Sequence, residues 1–95
     1  MAAYLVVDID VSNPAQFEEY KKLAPSAIAK YGGRYIIRGG AYEVLEGSWT
    51  PQRLTIVEFD SMEKAKAFYT SPEYRVAIEA REGAAKFKAL LVQGI

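Results

Sequence analysis

Two stretches of alternating apolar residues flank each of two helical stripes along the chain. That order, strand–helix–strand twice over, restricts the fold more than any other feature of the 95 residues. From Tyr4 to Val11 the side chains Val7, Ile9 and Val11 alternate with Asp8 and Asp10, which predicts a first strand. Asn13-Pro14 then offers a helix cap and a first-turn proline, with Gln16 at the position of a capping box. Phe17, Tyr20, Ala24, Ala27, Ile28 and Tyr31 recur at helical spacing. Pro25 inside that stripe predicts a kink or a restart, and Gly32-Gly33 predicts its end.

Arg34-Tyr35-Ile36-Ile37-Arg38 reads as a second strand. Gly39-Gly40 breaks it, predicting a bulge or bend there, and Tyr42 to Glu46 resumes it. Residues 47–52 read as a hairpin loop and Arg53 to Phe59 as a third strand. Asp60 or Ser61 caps a second helix through Met62, Ala65, Phe68 and Tyr69. Ser71-Pro72 restarts it with Tyr74, Ala77, Ile78 and Arg81, and it ends by Gly83. Phe87 to Val92 forms the last strand.

The order βαββαβ predicts an α+β domain of ferredoxin-like form over residues 1–95, with a four-stranded antiparallel sheet and both helices on one face. A chain of this length has room for one core, and self-association would cover more of its surface. Two helices leave the other sheet face without a layer. With Leu5, Val7, Ile9, Val11, Tyr35, Ile37, Val57 and Phe59 toward the helices, the open face would carry Tyr4, Val6, Ile36 and Ile56. Among them would stand Asp8, Asp10, Arg34, Arg38 and Glu58. Such a mixture suits neither a wet face nor a dry core, so a sheet-to-sheet homodimer is expected.

Composition narrows the chemistry. Twelve basic and twelve acidic residues cancel, so no overall field draws the chain to nucleic acid or an anionic membrane. Neither cysteine nor histidine is present. That removes disulfides, zinc sites of the usual ligand types, the common haem ligands and the Ser-His and Cys-His triads, so no metal or cofactor is expected. The first residues lack a basic segment, and their apolar run stops at Asp8, which points to a cytoplasmic location.

Tyr31-Gly32-Gly33-Arg34-Tyr35-Ile36-Ile37-Arg38-Gly39-Gly40, then Val44 to Trp49, Ile56 to Phe59 and Tyr69 to Tyr74, resemble the bacterial family catalogued as domain of unknown function 1330. The similarity covers essentially the whole chain. It implies a dimeric α/β-barrel of ferredoxin-like subunits and carries no reaction. More distant structural relatives of that family include cofactor-independent monooxygenases and lactone isomerases, an analogy of fold alone.

Several residues are candidates for a small-molecule pocket. Arg38, with Glu58 and Asp8 on the open face, would pair a carboxylate-clamping guanidinium with a base, or form an internal ion-pair network. Tyr69, Tyr74 and Glu73 flank the helix break, where Ser71 caps; the tyrosines would line a site for a small organic acid or a phenol, or simply pack. Trp49 stands in a loop and would cover a pocket or a partner. Arg81 shares the stripe of Tyr74 and would snorkel, pair or enter the cavity. The alternatives to a ligand-binding protein are a non-catalytic structural dimer and, by fold analogy, a cofactor-independent monooxygenase or isomerase.

Overall fold

The computed structural model describes residues Met1–Ile95. Seven elements follow one another: β1 (Ala3–Val11), α1 (Pro14–Lys30), β2 (Arg34–Arg38), β3 (Leu54–Phe59), α2 (Met62–Tyr69), α3 (Pro72–Ala80) and β4 (Ala85–Gln93). The strands form one sheet in the order β2-β3-β1-β4, and every neighbouring pair is antiparallel. This is the ferredoxin-like βαββαβ arrangement expected from the sequence, with an open sheet. No helix is long and apolar enough to cross a membrane.

Period-two alternation decides the faces of the two central strands. Leu5, Val7 and Ile9 of β1, with Val57 and Phe59 of β3, are buried beneath Phe17, Ala24, Ile28, Phe68 and Ala77 of the helices. Burying a side chain of this size contributes roughly 1.5–3 kcal/mol, so this single layer supplies most of the drive for the helices to pack there. Tyr4, Val6, Asp8, Leu54, Ile56 and Glu58 lie on the other face, paired with one another across β1 and β3.

Local chemistry sets the helix ends. Asn13 caps α1 by accepting from the Gln16 backbone N–H at 3.2 Å. The Gln16 side chain does not turn back to complete a capping box. Its Nε2 donates to the carbonyls of Ala80 (3.2 Å) and Glu82 (2.8 Å), which ties the start of α1 to the end of α3, where carbonyls lack helical partners. Nor does Pro25 break α1, which runs on to Lys30. The bond lost to its ring is the one to the carbonyl of Lys21, an exposed residue.

Two expectations for β2 need correcting. Residues 42–46 form no strand, because β3 begins only at Leu54 and offers them no neighbour. The chain leaves the ladder at Gly39 (φ +65°), whose N–H donates to Leu54 O at 2.8 Å. The bulge sits earlier than the glycine pair: Tyr35 pairs with Val57 and Ile37 with Ile56, which leaves Ile36 as the extra residue. A one-residue slip exchanges faces. Ile37, expected toward the helices, therefore joins Ile56 on the open face. Arg38, expected on the open face, stands opposite Thr55, a buried residue on the helix side.

Candidate functional site

The side of the sheet that Arg38 reaches holds a cavity of about 60 Å³ between α1, α3 and the β2–β3–β1 surface. Phe17 and Tyr20 enter it from the buried stripe of α1, Tyr74 from the first turn of α3, and Tyr35 and Arg38 from β2. Arg53, just before β3, completes the polar lining together with Thr55 and Lys21. Apolar and aromatic side chains make up the remainder, so the enclosure is oily with a few polar groups at its edge.

Each tyrosine has a defined place. Tyr20 stacks on Phe17 with ring centres 5.1 Å apart, and its hydroxyl lies 2.7 Å from that of Tyr74. Tyr74 in turn packs on Phe68 at 4.4 Å. Its position is fixed by Ser71, whose Oγ accepts the Tyr74 backbone N–H at 3.1 Å and caps α3. Burial pushes the phenols of Tyr20, Tyr35 and Tyr74 above their ordinary value of 10.0. The Tyr74 charge and hydrogen bond raise Tyr20 further, whereas the hydrogen bond from Tyr20 lowers Tyr74; the Arg81 charge pulls both down and the Arg38 charge acts likewise on Tyr35. All three therefore keep their protons at neutral pH and act as hydroxyl donors or acceptors.

The cations are the other half of the site. The Arg38 guanidinium carbon sits 4.4 Å from the Tyr35 ring centre, and that of Arg53 sits 5.8 Å from Phe17. Neither joins an ion pair: the pairs within 4.0 Å are Lys21–Glu18, Lys22–Glu19, Lys30–Glu73, Arg34–Glu58 and Lys64–Asp60. No carboxylate lines the cavity. Two guanidiniums thus stand beside an aromatic enclosure without a carboxylate partner.

The residues singled out in the sequence are divided among several places. Arg38 and Tyr74 line the cavity, and Arg81 lies beside it, its guanidinium carbon 3.6 Å from the Phe87 ring centre. Glu58 and Asp8 stay on the opposite face, so the Arg38–Glu58–Asp8 constellation does not form. Glu58 instead pairs with Arg34 and accepts from Tyr4 Oη at 3.0 Å. Asp8 Oδ1 accepts the backbone N–H of Gln52 at 2.9 Å and of Arg53 at 3.4 Å, pinning the loop that presents Arg53. Trp49, 64% exposed, edges a polar cleft with Asp8, Asp10, Lys86 and Lys88 on the open side. Tyr69, 37% exposed, borders an apolar groove between α2 and β4; its ring centre lies 5.4 Å from that of Tyr74, but it does not line the cavity.

Tyr20, Tyr35 and Arg53 were not singled out in the sequence. Tyr20 carried a signal all the same: a tyrosine on a buried helical stripe must find a partner for its hydroxyl, and Tyr31, Tyr69 and Tyr74 were the other tyrosines on such stripes.

A family model described as Domain of unknown function (DUF1330) matches residues 2–95. No curated protein matches the chain. Among solved structures, a protein of unknown function from Rhodopseudomonas palustris is 16% identical, with a TM-score of 0.74, covering 99% of this chain and 82% of that one. SnoaB from Streptomyces nogalater, described as a cofactor-independent oxygenase, is 12% identical with a TM-score of 0.68, covering 99% and 93%. A dimeric ferredoxin-like protein of unknown function from Jannaschia sp. CCS1 is 9% identical with a TM-score of 0.71, covering 99% and 100%. At these identities the likeness is one of fold.

Proposed function

Since the chain belongs to the family described as domain of unknown function (DUF1330), whose name supplies no reaction, we propose from the geometry that it is a homodimer binding a small organic anion in the sheet–helix cavity of each subunit. The observation that carries this reading is Arg38, turned by the Ile36 bulge onto Tyr35 at the cavity with no carboxylate partner. The ligand's apolar body would meet Phe17, Phe68 and Val57, and its charge would meet Arg38 and Arg53.

The dimer is supported by the open face, where Ile37, Leu90 and Val92 are exposed beside Val6 and Ile56, and by similar folds described as dimeric. Asp8 stands opposite Lys88 and Asp10 opposite Lys86 without forming ion pairs within 4.0 Å. A second copy could therefore meet these charges with its own. Light scattering at working concentration should report twice the chain mass; a stable monomer would remove this half of the proposal.

The pocket is tested by thermal shift with a panel of carboxylates, phenols and lactones. A ligand at a hundredfold excess over its Kd stabilises by about 2.7 kcal/mol, a rise of roughly 10–20 °C for a chain of this size. Arg38→Ala should abolish the shift while the dimer persists. Loss of folding in that variant would give Arg38 a structural role, and silence across the panel would favour a non-catalytic structural dimer.

One feature favours a second reading, that of a cofactor-free oxygenase or isomerase. Guanidiniums beside an apolar enclosure stabilise an enolate or phenolate, and with no carboxylate in the lining the substrate would enter already ionised. Turnover of an activated phenol that is ionised in solution, without added metal, would support it, and inactivity across a set of such phenols would remove it.

A further inference from the structure

At the Tyr20–Tyr74 end of the cavity, one hydroxyl proton has no acceptor within the chain. Both tyrosines are buried, and their hydroxyl oxygens lie 2.7 Å apart. Two hydroxyls hold two protons, and the single bond between them uses one. Neither oxygen makes a second hydrogen bond within the chain, so one buried O–H has no acceptor.

Arg81 adds to the surplus. Its guanidinium carbon lies 3.6 Å from the ring centre of Phe87 and 5.6 Å from that of Tyr20, and those two rings meet edge-on at 5.4 Å. The Arg81 Nε is the one buried side-chain nitrogen or oxygen of the chain with no partner. Buried donors are nearly always paired, because an unmade bond forfeits the hydration that burial removed. The spare tyrosine proton and the Arg81 Nε–H thus belong to one cluster around Tyr20, and neither has a hydrogen-bond partner within the chain.

We propose that this end of the cavity is a subsite for an acceptor oxygen of the ligand. The ligand class is then an oxo acid or an ionised hydroxyaryl acid: one end anionic, for Arg38 and Arg53, and a carbonyl or phenolate oxygen for the Tyr20–Tyr74 pair, with Arg81 behind it. A hydrocarbon end would leave the tyrosine donor unpaired, and an ammonium end would be repelled by Arg81. This assignment rests on the small-anion reading of the same cavity and sharpens it to a substrate class.

Two acids that differ by one oxygen separate the claims. Isothermal titration should show 4-oxocyclohexanecarboxylate binding about tenfold or more tighter than cyclohexanecarboxylate, since a site built to satisfy an acceptor discriminates against the analogue lacking it. Tyr20→Phe and Tyr74→Phe together remove both hydroxyls while keeping both rings, and should bring the ratio to about one, with the affinity for cyclohexanecarboxylate changed by less than about threefold; either change alone leaves one unpaired O–H and should keep the preference. If that variant fails to fold, 4-methylenecyclohexanecarboxylate, which has the same outline without an acceptor oxygen, makes the test on the native protein and should bind no more tightly than cyclohexanecarboxylate. Arg38→Ala should weaken both acids alike. Equal or inverted affinities in the native protein, or a ratio that survives both tyrosine substitutions, would overturn the subsite and leave the anion pocket standing. If neither acid binds, both readings fall.

Discussion

Replacing Gly33 by alanine perturbs the turn that delivers β2 to the cavity, and the structure supplies the size of the effect. Gly32, with φ +79°, makes the left-handed turn at the end of α1, whereas Gly33 has an ordinary backbone, so Gly33→Ala adds a methyl and little else. That methyl would stand 2.6 Å from Phe59 Cε1 and 2.8 Å from both Phe59 Cζ and Ile28 Cγ2, where ordinary contact begins at 3.4 Å. Phe59 is fully buried, with its ring 5.3 Å from that of Phe68, and it cannot retreat into solvent. Overpacking of this kind costs about 1–3 kcal/mol, which for a chain of this size lowers the Tm by roughly 5–20 °C.

The measurement is urea unfolding followed by circular dichroism at fixed protein concentration, because dimerisation adds to apparent stability. Phe59→Leu removes both clashing ring atoms, so the double variant should be less destabilised than the two single changes together, by about 1 kcal/mol or more. Tyr35 follows two residues after Gly33, so the displaced turn should also weaken anion binding. A Gly33→Ala change within about 0.5 kcal/mol of the native protein, or simple additivity with Phe59→Leu, would refute the packing described for this junction.

Of the seven tyrosines, Tyr4, Tyr20, Tyr35 and Tyr74 have phenols raised above 10.0, the last three by burial and Tyr4 by its hydrogen bond to Glu58. A raised folded pKa contributes stability that is complete below the unfolded value and lost as pH climbs, so the protein should weaken above about pH 10. Near-ultraviolet absorbance should show those phenols ionising later than in urea, and superimposed titrations would contradict the buried pair. Glu73 behaves oppositely: the Lys30 ammonium foremost, then a backbone N–H and Tyr31 Oη, hold its carboxyl at about 2 against an ordinary 4.5. The tie it makes between α1 and α3 is therefore present above pH 4.5 and lost as pH falls through about 2. Glu73→Gln should flatten that part of the acid unfolding curve, and an unchanged curve would exclude the pairing. Deleting Ile36 removes the bulge while leaving Tyr35 and Arg38 on the helix side, so anion binding should survive; a folded deletion variant that no longer binds would argue against the pairing of β2.

The unbroken alternation of Leu5, Val7 and Ile9, and of Val57 and Phe59, made the sheet and its buried face legible, because each side chain has one face it can occupy without exposing oil or burying charge. Ser71-Pro72 likewise announced the start of α3, and with it the placement of Tyr74. The segment Tyr42 to Glu46 misled because strand propensity is only satisfied beside a neighbour, and β3 supplies none there. Arg-Tyr-Ile-Ile-Arg hid the decisive feature of the site. With Ile36 and Ile37 both apolar, the run reads equally well with or without an extra residue, and no glycine marks the bulge. Tertiary pairing settles it: β2 is tied at one end by Arg34 opposite Glu58 and at the other by the Gly39 N–H on Leu54 O. Between those anchors the five residues of β2 run beside only Thr55 to Glu58, so one must be squeezed out. The face that Arg38 occupies is therefore fixed by a mismatch in chain length between two hydrogen-bonded strands, a quantity that no periodicity of side chains records.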